Sequence, residues 1–149
     1  MSFSEQSQLT RAEELFDAGR LQEASDLLDE LIQLEELDLE QKGYYQYLKG
    51  FILDCQGKYN ELLEFGEKMF EEYQLTKQNL RAVDGLIFMF FGLLELERIE
   101  EFGMIIEKSD ELLKRTSNTS KIELLRRKAW INVAKGYNYM KKGNSKLAR

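Results

Sequence analysis

The chain has 149 residues, 43% hydrophobic and 32% charged, which fits one globular domain with a real core and excludes a disordered chain. It contains no histidine and one cysteine, Cys55, which excludes an internal disulfide, a Ser-His or Cys-His catalytic pair and a His-containing metal site. The net charge of −6 is uneven: residues 1–40 carry −10 and residues 117–149 carry +8, a dipole that bears on steering and association more than on fold.

No proline occurs, where average usage near 5% would give about seven, so helices run uninterrupted. Ser2 with Glu5 reads as a capping box opening a first helix to about Ala18, with Leu9, Ala12, Leu15 and Phe16 inward and Gly19 as its stop. A second helix starts near Leu21 and repeats apolar residues at Ala24, Leu27, Leu28, Leu31 and Ile32. Asp38 and Gln41 cap a third helix ending at Gly57, and the fourth presents Tyr59, Leu62, Leu63, Gly66, Met69, Phe70 and Tyr73 on one face.

Thr76 is expected to cap the fifth helix. This helix contains the stretch Gly85-Leu86-Ile87-Phe88-Met89-Phe90-Phe91-Gly92-Leu93-Leu94, apolar on every side and therefore a buried central helix. Ten such residues are too short for a bilayer span of about 17–25. Gly85 and Gly92, seven apart, mark a face where another helix approaches closely. A sixth helix is expected from about Arg98 to Lys114. The polar run Thr116-Ser117-Asn118-Thr119-Ser120 reads as a loop, and Ser120 with Glu123 caps a long seventh helix to about Lys142. No period-2 alternation or hairpin signal is seen, so about seven helices make an all-α fold.

Self-similarity organises these helices. Ala12, Leu15, Gly19, Leu21 and Ala24 recur at the same spacing as Gly50, Leu53, Gly57, Tyr59 and Leu62, then as Gly136, Tyr139, Gly143, Ser145 and Ala148, with a weaker copy at Phe90, Leu93, Glu97, Ile99 and Phe102. A small residue lets two helices approach, a large apolar one fills the gap, and glycine turns the chain. This pattern resembles the tetratricopeptide repeat family, most closely in the first unit from Ala12 to Ala24. The resemblance implies a right-handed superhelical stack of antiparallel helix pairs, an α-solenoid, with units at about 2–36, 38–75 and 76–115 and a partial unit at 120–149. The turn positions lie 38, 40 and 46 residues apart, longer than the family's about 34, and Glu97 stands where glycine is expected. A non-repetitive helical bundle is the competing architecture.

In the family the first helix of each unit lines a concave, peptide-binding groove. By that resemblance the groove would carry Leu9, Glu13 and Phe16; Tyr44, Tyr47 and Phe51; Asp84, Ile87 and Phe91; and Trp130, Val133 and Tyr137. Aromatic residues of this kind are enriched at binding hot spots, against the alternative that they pack between helices. The lysine, asparagine and arginine clamp of chaperone-binding members has no counterpart at Leu9, Glu13, Tyr47, Phe51 and Ile87. An apolar or helical partner segment fits better. Separately, Lys121, Lys128, Lys135 and Lys142 recur every seven residues and form one basic stripe with Arg126 and Arg127 beside it, read either as a solvated face or as a dock for an acidic partner.

Carboxylate pairs such as Glu13-Glu14 and Glu35-Glu36 read as solvation, and no phosphate-binding glycine loop is present. The expectation is a protein-protein interaction scaffold with no enzymatic activity, no cofactor, no metal, no nucleic acid and no membrane partner. No signal peptide is read at Met1–Glu5, and with a lone cysteine this implies a cytoplasmic protein. Two other readings stay open. One is a peptide-sensing regulatory module, similar to the ligand-binding part of bacterial peptide-responsive regulators. The other is a structural element that self-associates, forming a homo-oligomer through the C-terminal helix.

Overall fold

The computed structural model describes residues 3–34, 37–116 and 120–147. Among them are seven α-helices and no strand: α1 (Phe3–Asp17), α2 (Leu21–Ile32), α3 (Leu39–Cys55), α4 (Tyr59–Leu75), α5 (Asn79–Glu95), α6 (Phe102–Lys114) and α7 (Lys121–Leu147), with one 3-10 turn, Ile99–Glu101, leading into α6. The expected Ser2–Glu5 box, the Glu35-Glu36 pair and loop residues 117–119 lie outside the described residues.

Four of the turns share one device. Gly19 and Gly57 take positive φ, as do Lys77 and Glu97. At each, the following amide donates five residues back: Arg20 to the Leu15 carbonyl, Lys58 to Leu53, Gln78 to Tyr73 and Arg98 to Leu93, at 2.8–3.0 Å. The turn residue's own amide donates three back, to Phe16, Asp54, Gln74 and Leu94. This is the Schellman closure, which satisfies carbonyls a helix end would otherwise leave bare. Glu97 therefore turns the chain as Gly19 and Gly57 do, despite its Cβ. Lys77 uses the same closure between α4 and α5, where the repeat spacing placed none.

Three expectations are corrected. Thr76 does not cap α5; its Oγ1 donates back to the Glu72 and Tyr73 carbonyls at 3.3 Å, serving the end of α4, and the α5 N-cap is Gln78 without a side-chain bond. Gly143 is no turn residue, because α7 runs through it to Leu147. The first residues of the expected sixth helix form the 3-10 turn instead. The Asp38–Gln41 box is present in both halves: Gln41 N donates to Asp38 Oδ1 at 2.8 Å and Asp38 N to Gln41 Oε1 at 3.2 Å. Ser120 accepts from Glu123 N at 3.2 Å, but the Glu123 carboxylate turns to Arg126 and Arg127.

Chain contacts divide the protein into two compact units, Met1–Lys58 and Tyr59–Arg149. In the first, α2 packs on both α1 and α3 around Leu9, Ala12, Leu15, Ala24, Leu28, Leu31, Tyr45 and Ile52. Lys49 of α3, mostly covered, reaches Ser25 and Asp29 of α2. Cys55 is exposed at the end of α3.

In the second unit α5 contacts α4, α6 and α7, and Ala82 to Leu93 is an unbroken run of buried residues. The all-round apolar sequence is thus matched by all-round cover. The α4–α5 contact is a backbone approach. A Cβ on Gly66 would lie 2.5 Å from the Gly85 oxygen and 2.9 Å from the Met89 nitrogen; one on Gly85 would lie 2.6 Å from the Phe70 nitrogen. One on Gly92 would lie 3.0 Å from the Tyr59 oxygen. The start of α4 thus meets the end of α5, and the two helices run in opposite directions. The approach expected at Gly85 and Gly92 is present, with Gly66 as its unanticipated counterpart.

Candidate interaction surfaces

The residues expected to line a groove in Met1–Lys58 are divided between α1 and α3. Tyr44 is half-buried against the core, and its hydroxyl donates to Glu13 Oε1 at 3.0 Å. Tyr47 and Phe51, one helical turn apart, are both half-buried and meet edge-on with ring centroids 4.8 Å apart. Leu9 is core and Phe16 packs against it.

In the second unit the expected residues divide by depth. Ile87 and Phe91 are buried, whereas Trp130 and Tyr137 are about 40% exposed. Trp130 stands edge-on to Phe91 at 4.7 Å. Tyr137 leans on Phe90 and Phe102, at 6.4 and 6.5 Å. The α7 aromatics therefore have one side seated on the core and the other open, an arrangement suited to side chains with a polar atom. Val133 is exposed between them.

The basic stripe is also on α7. Lys121, Lys128, Lys135 and Lys142 are all exposed. Lys135 pairs with Asp110 of α6 at 3.0 Å. Lys128 and Lys135 join Lys114, Asp110, Leu113, Ile131 and Asn132 around an open depression of about 250 Å³.

Arg127 departs from its expected place beside that stripe. It is 3% exposed and inserted against Asp84 of α5, also 3% exposed. Its Nε lies within ion-pair distance of Asp84 Oδ1, 2.9 Å, and Nη2 donates to Oδ2 at 2.9 Å. Nε also donates to the Leu80 carbonyl at 3.1 Å, and Nη1 to the Glu123 carbonyl and Oε2 at 3.0 and 2.8 Å. Arg81 adds a bond to Asp84 Oδ2 at 3.1 Å. Burial pushes the Asp84 carboxyl up, opposed by Arg127 and then Arg81. Glu123 is held below its ordinary value, chiefly by the Arg127 hydrogen bond.

Sequence reading missed this network, placing Asp84 in the groove and Arg127 on the surface. The available signal was a carboxylate at the start of an all-round apolar run, where burial calls for cationic partners. Its chemistry is structural: each guanidinium nitrogen is engaged, and Asp84 is enclosed by two arginines. Among the described residues no cluster of His, Cys, Asp or Glu is able to hold a metal, and no described helix is long and apolar enough to cross a membrane.

Comparison with protein-family models, with curated proteins and with solved structures finds no match to this chain.

Proposed function

We propose that this chain is a protein-interaction scaffold of tetratricopeptide-like helix pairs, stacked as a solenoid, that holds a partner peptide or helix against aromatic side chains. The observation carrying this reading is the half-open placement of Trp130 and Tyr137, seated on Phe91, Phe90 and Phe102 yet about 40% exposed. Rigid aromatic rings with a wet edge contribute large contact area on binding. Tyr47 and Phe51 offer a similar pair on the first unit. Phe91, buried, supports Trp130 from within.

The test is capture of a partner by the purified protein, repeated with Tyr47→Ala and Trp130→Ala. Each substitution weakens binding by more than about 1 kcal/mol if it removes a hot spot, with far-UV circular dichroism unchanged. Unfolding by either substitution would assign that residue to the core and remove it from the surface.

A further inference from the structure

Helix α7 has a packed inner face and an apolar outer one. The inner one places Arg127, Ile131 and Ala134 against the rest of its unit, all buried. The outer one is Ile122, Leu125, Ala129, Val133, Gly136 and Met140, at intervals of three and four residues and therefore one helical stripe. All six are exposed, Ile122 by 75% and Met140 by 61%. A contiguous apolar stripe left open on a helix otherwise packed against its own unit marks an interaction site.

We propose that this outer face of α7 docks an acidic amphipathic helix of a partner protein. The proposal deepens the scaffold reading and rests on it. Charge selects the occupant. Lys121, Lys128, Lys135 and Lys142 run along one edge of the apolar stripe, and Lys121, Lys128 and Lys142 form no ion pair among the described residues. Residues 117–149 carry +8, so an acidic flank finds complementary charge there. Shape selects a helix. Ala129 and Gly136 are seven residues apart, as are Gly85 and Gly92, where α4 brings its backbone against α5. A Cβ on Gly136 would meet nothing within 4 Å, so the middle of the stripe is open to the close approach of a helix.

Other occupants fit less well. A second copy using the same face would set +8 against +8. The acidic α1 and α2 spend their apolar residues in their own core, so they offer a second copy no matching face. An anionic bilayer would repel residues 1–116, which carry a net −14.

Trp130 is the only tryptophan and borders the stripe, which makes it a built-in reporter. The probes are a panel of synthetic acidic amphipathic helical peptides, the same peptides with lysine in place of each glutamate, and vesicles of anionic phospholipid. The expected result is a blue shift of Trp130 emission with the acidic peptides, weakened by salt. Lys121→Glu with Lys128→Glu reduces affinity by about tenfold or more, which corresponds to about 1.4 kcal/mol. Gly136→Leu abolishes the shift without lowering the melting temperature, since it fills an open position with a better helix former. The proposal is overturned by no shift with any acidic peptide, by equal binding of the lysine peptides, by a shift with vesicles alone, or by dimerisation that buries Trp130. If α7 fails while Tyr47→Ala still weakens partner capture, the scaffold reading stands and this inference falls; if Tyr47→Ala and Trp130→Ala leave capture unchanged, both fall.

Discussion

Helices α5 and α7 carry the same glycine signal and put it to opposite uses. In α5, Gly85 and Gly92 lie under the backbone of α4, closer than any Cβ tolerates at Gly85. In α7, Gly136 and Gly143, also seven apart, face open space. Burial follows: α5 is covered from Ala82 to Leu93, while α7 buries Arg127, Ile131 and Ala134 among its described side chains. A heptad of small residues thus records that a helix surface is smooth enough for a neighbour. The flanking residues differ as the burial does, apolar all round in α5 and charged on one edge in α7.

The two helices are joined by the buried Asp84–Arg127 pair, and breaking it has the largest expected effect. Arg127→Ala leaves Asp84 at 3% exposure with only Arg81 beside it, and removing one partner of a buried pair costs about 3–5 kcal/mol. Asp84→Leu with Arg127→Met removes both charges and recovers most of that loss, because the desolvation of the two ions disappears with them. Denaturant unfolding of both variants reads the difference. Equal losses in the two would show that packing volume, and not charge, is what Arg127 contributes.

Next in size is the α4–α5 seam. Gly85→Ala drives a methyl to 2.6 Å from the Phe70 nitrogen and 2.7 Å from the Gly66 oxygen, and backbone does not yield as a side-chain tip would. Overpacking of this kind costs about 1–3 kcal/mol, more than the gain of about 1 kcal/mol that alanine brings to a helix interior. Gly136→Ala has the opposite sign. With nothing within 4 Å of the new Cβ, the helix propensity gain stands alone and stability rises by up to about 1 kcal/mol. Parallel thermal melts of the two variants test the comparison directly. A loss at Gly136 would mean that the outer face of α7 is already covered.

Legibility from sequence followed the same division. The helix count, the covered α5 and the turns at Gly19 and Gly57 were readable because each rests on local signals: a 3.6 period, an all-round apolar run, a glycine in left-handed φ. Glu97 was anticipated as a turn from spacing alone, and its φ of 59° shows a closure strong enough to hold a Cβ there. Thr76 misled because a hydroxyl between two helices serves either end, and here the free carbonyls of α4 claimed it. Gly143 misled because a lone glycine inside a polar helical run does not stop it when nothing follows the Schellman pattern. At the surface, the α7 aromatics were readable from residue type, but Arg127 looked like its neighbours Arg126 and Lys128. The partner that separates it, Asp84, lies 43 residues earlier, and no local period reports such a pair.

The smallest expected effect concerns Glu123, the exposed end of the same network. Its carboxylate accepts from Arg127 Nη1 at 2.8 Å and from Arg126 Nη2 at 2.7 Å, and the Arg127 bond is the main reason its carboxyl sits below the ordinary 4.5. A depressed folded value means stability that is present above the ordinary value and lost as pH falls through the folded one. Asp84 works in the other direction: burial raises its carboxyl, so its share of stability declines as pH rises through that raised range. Acidification therefore weakens one carboxylate's hold on Arg127 and relieves the other's burial. Glu123→Gln isolates the first effect, since the amide keeps an acceptor oxygen but cannot titrate. With the Glu123 side chain 41% exposed, solvent screening keeps the loss at neutral pH below about 1 kcal/mol. Melting curves at pH 7 and pH 3 should show the variant slightly less stable at the first and level with the parent at the second. A gap that persists at pH 3 would mean the side chain acts through its shape, and that the charge on Glu123 does not help hold α7 in place.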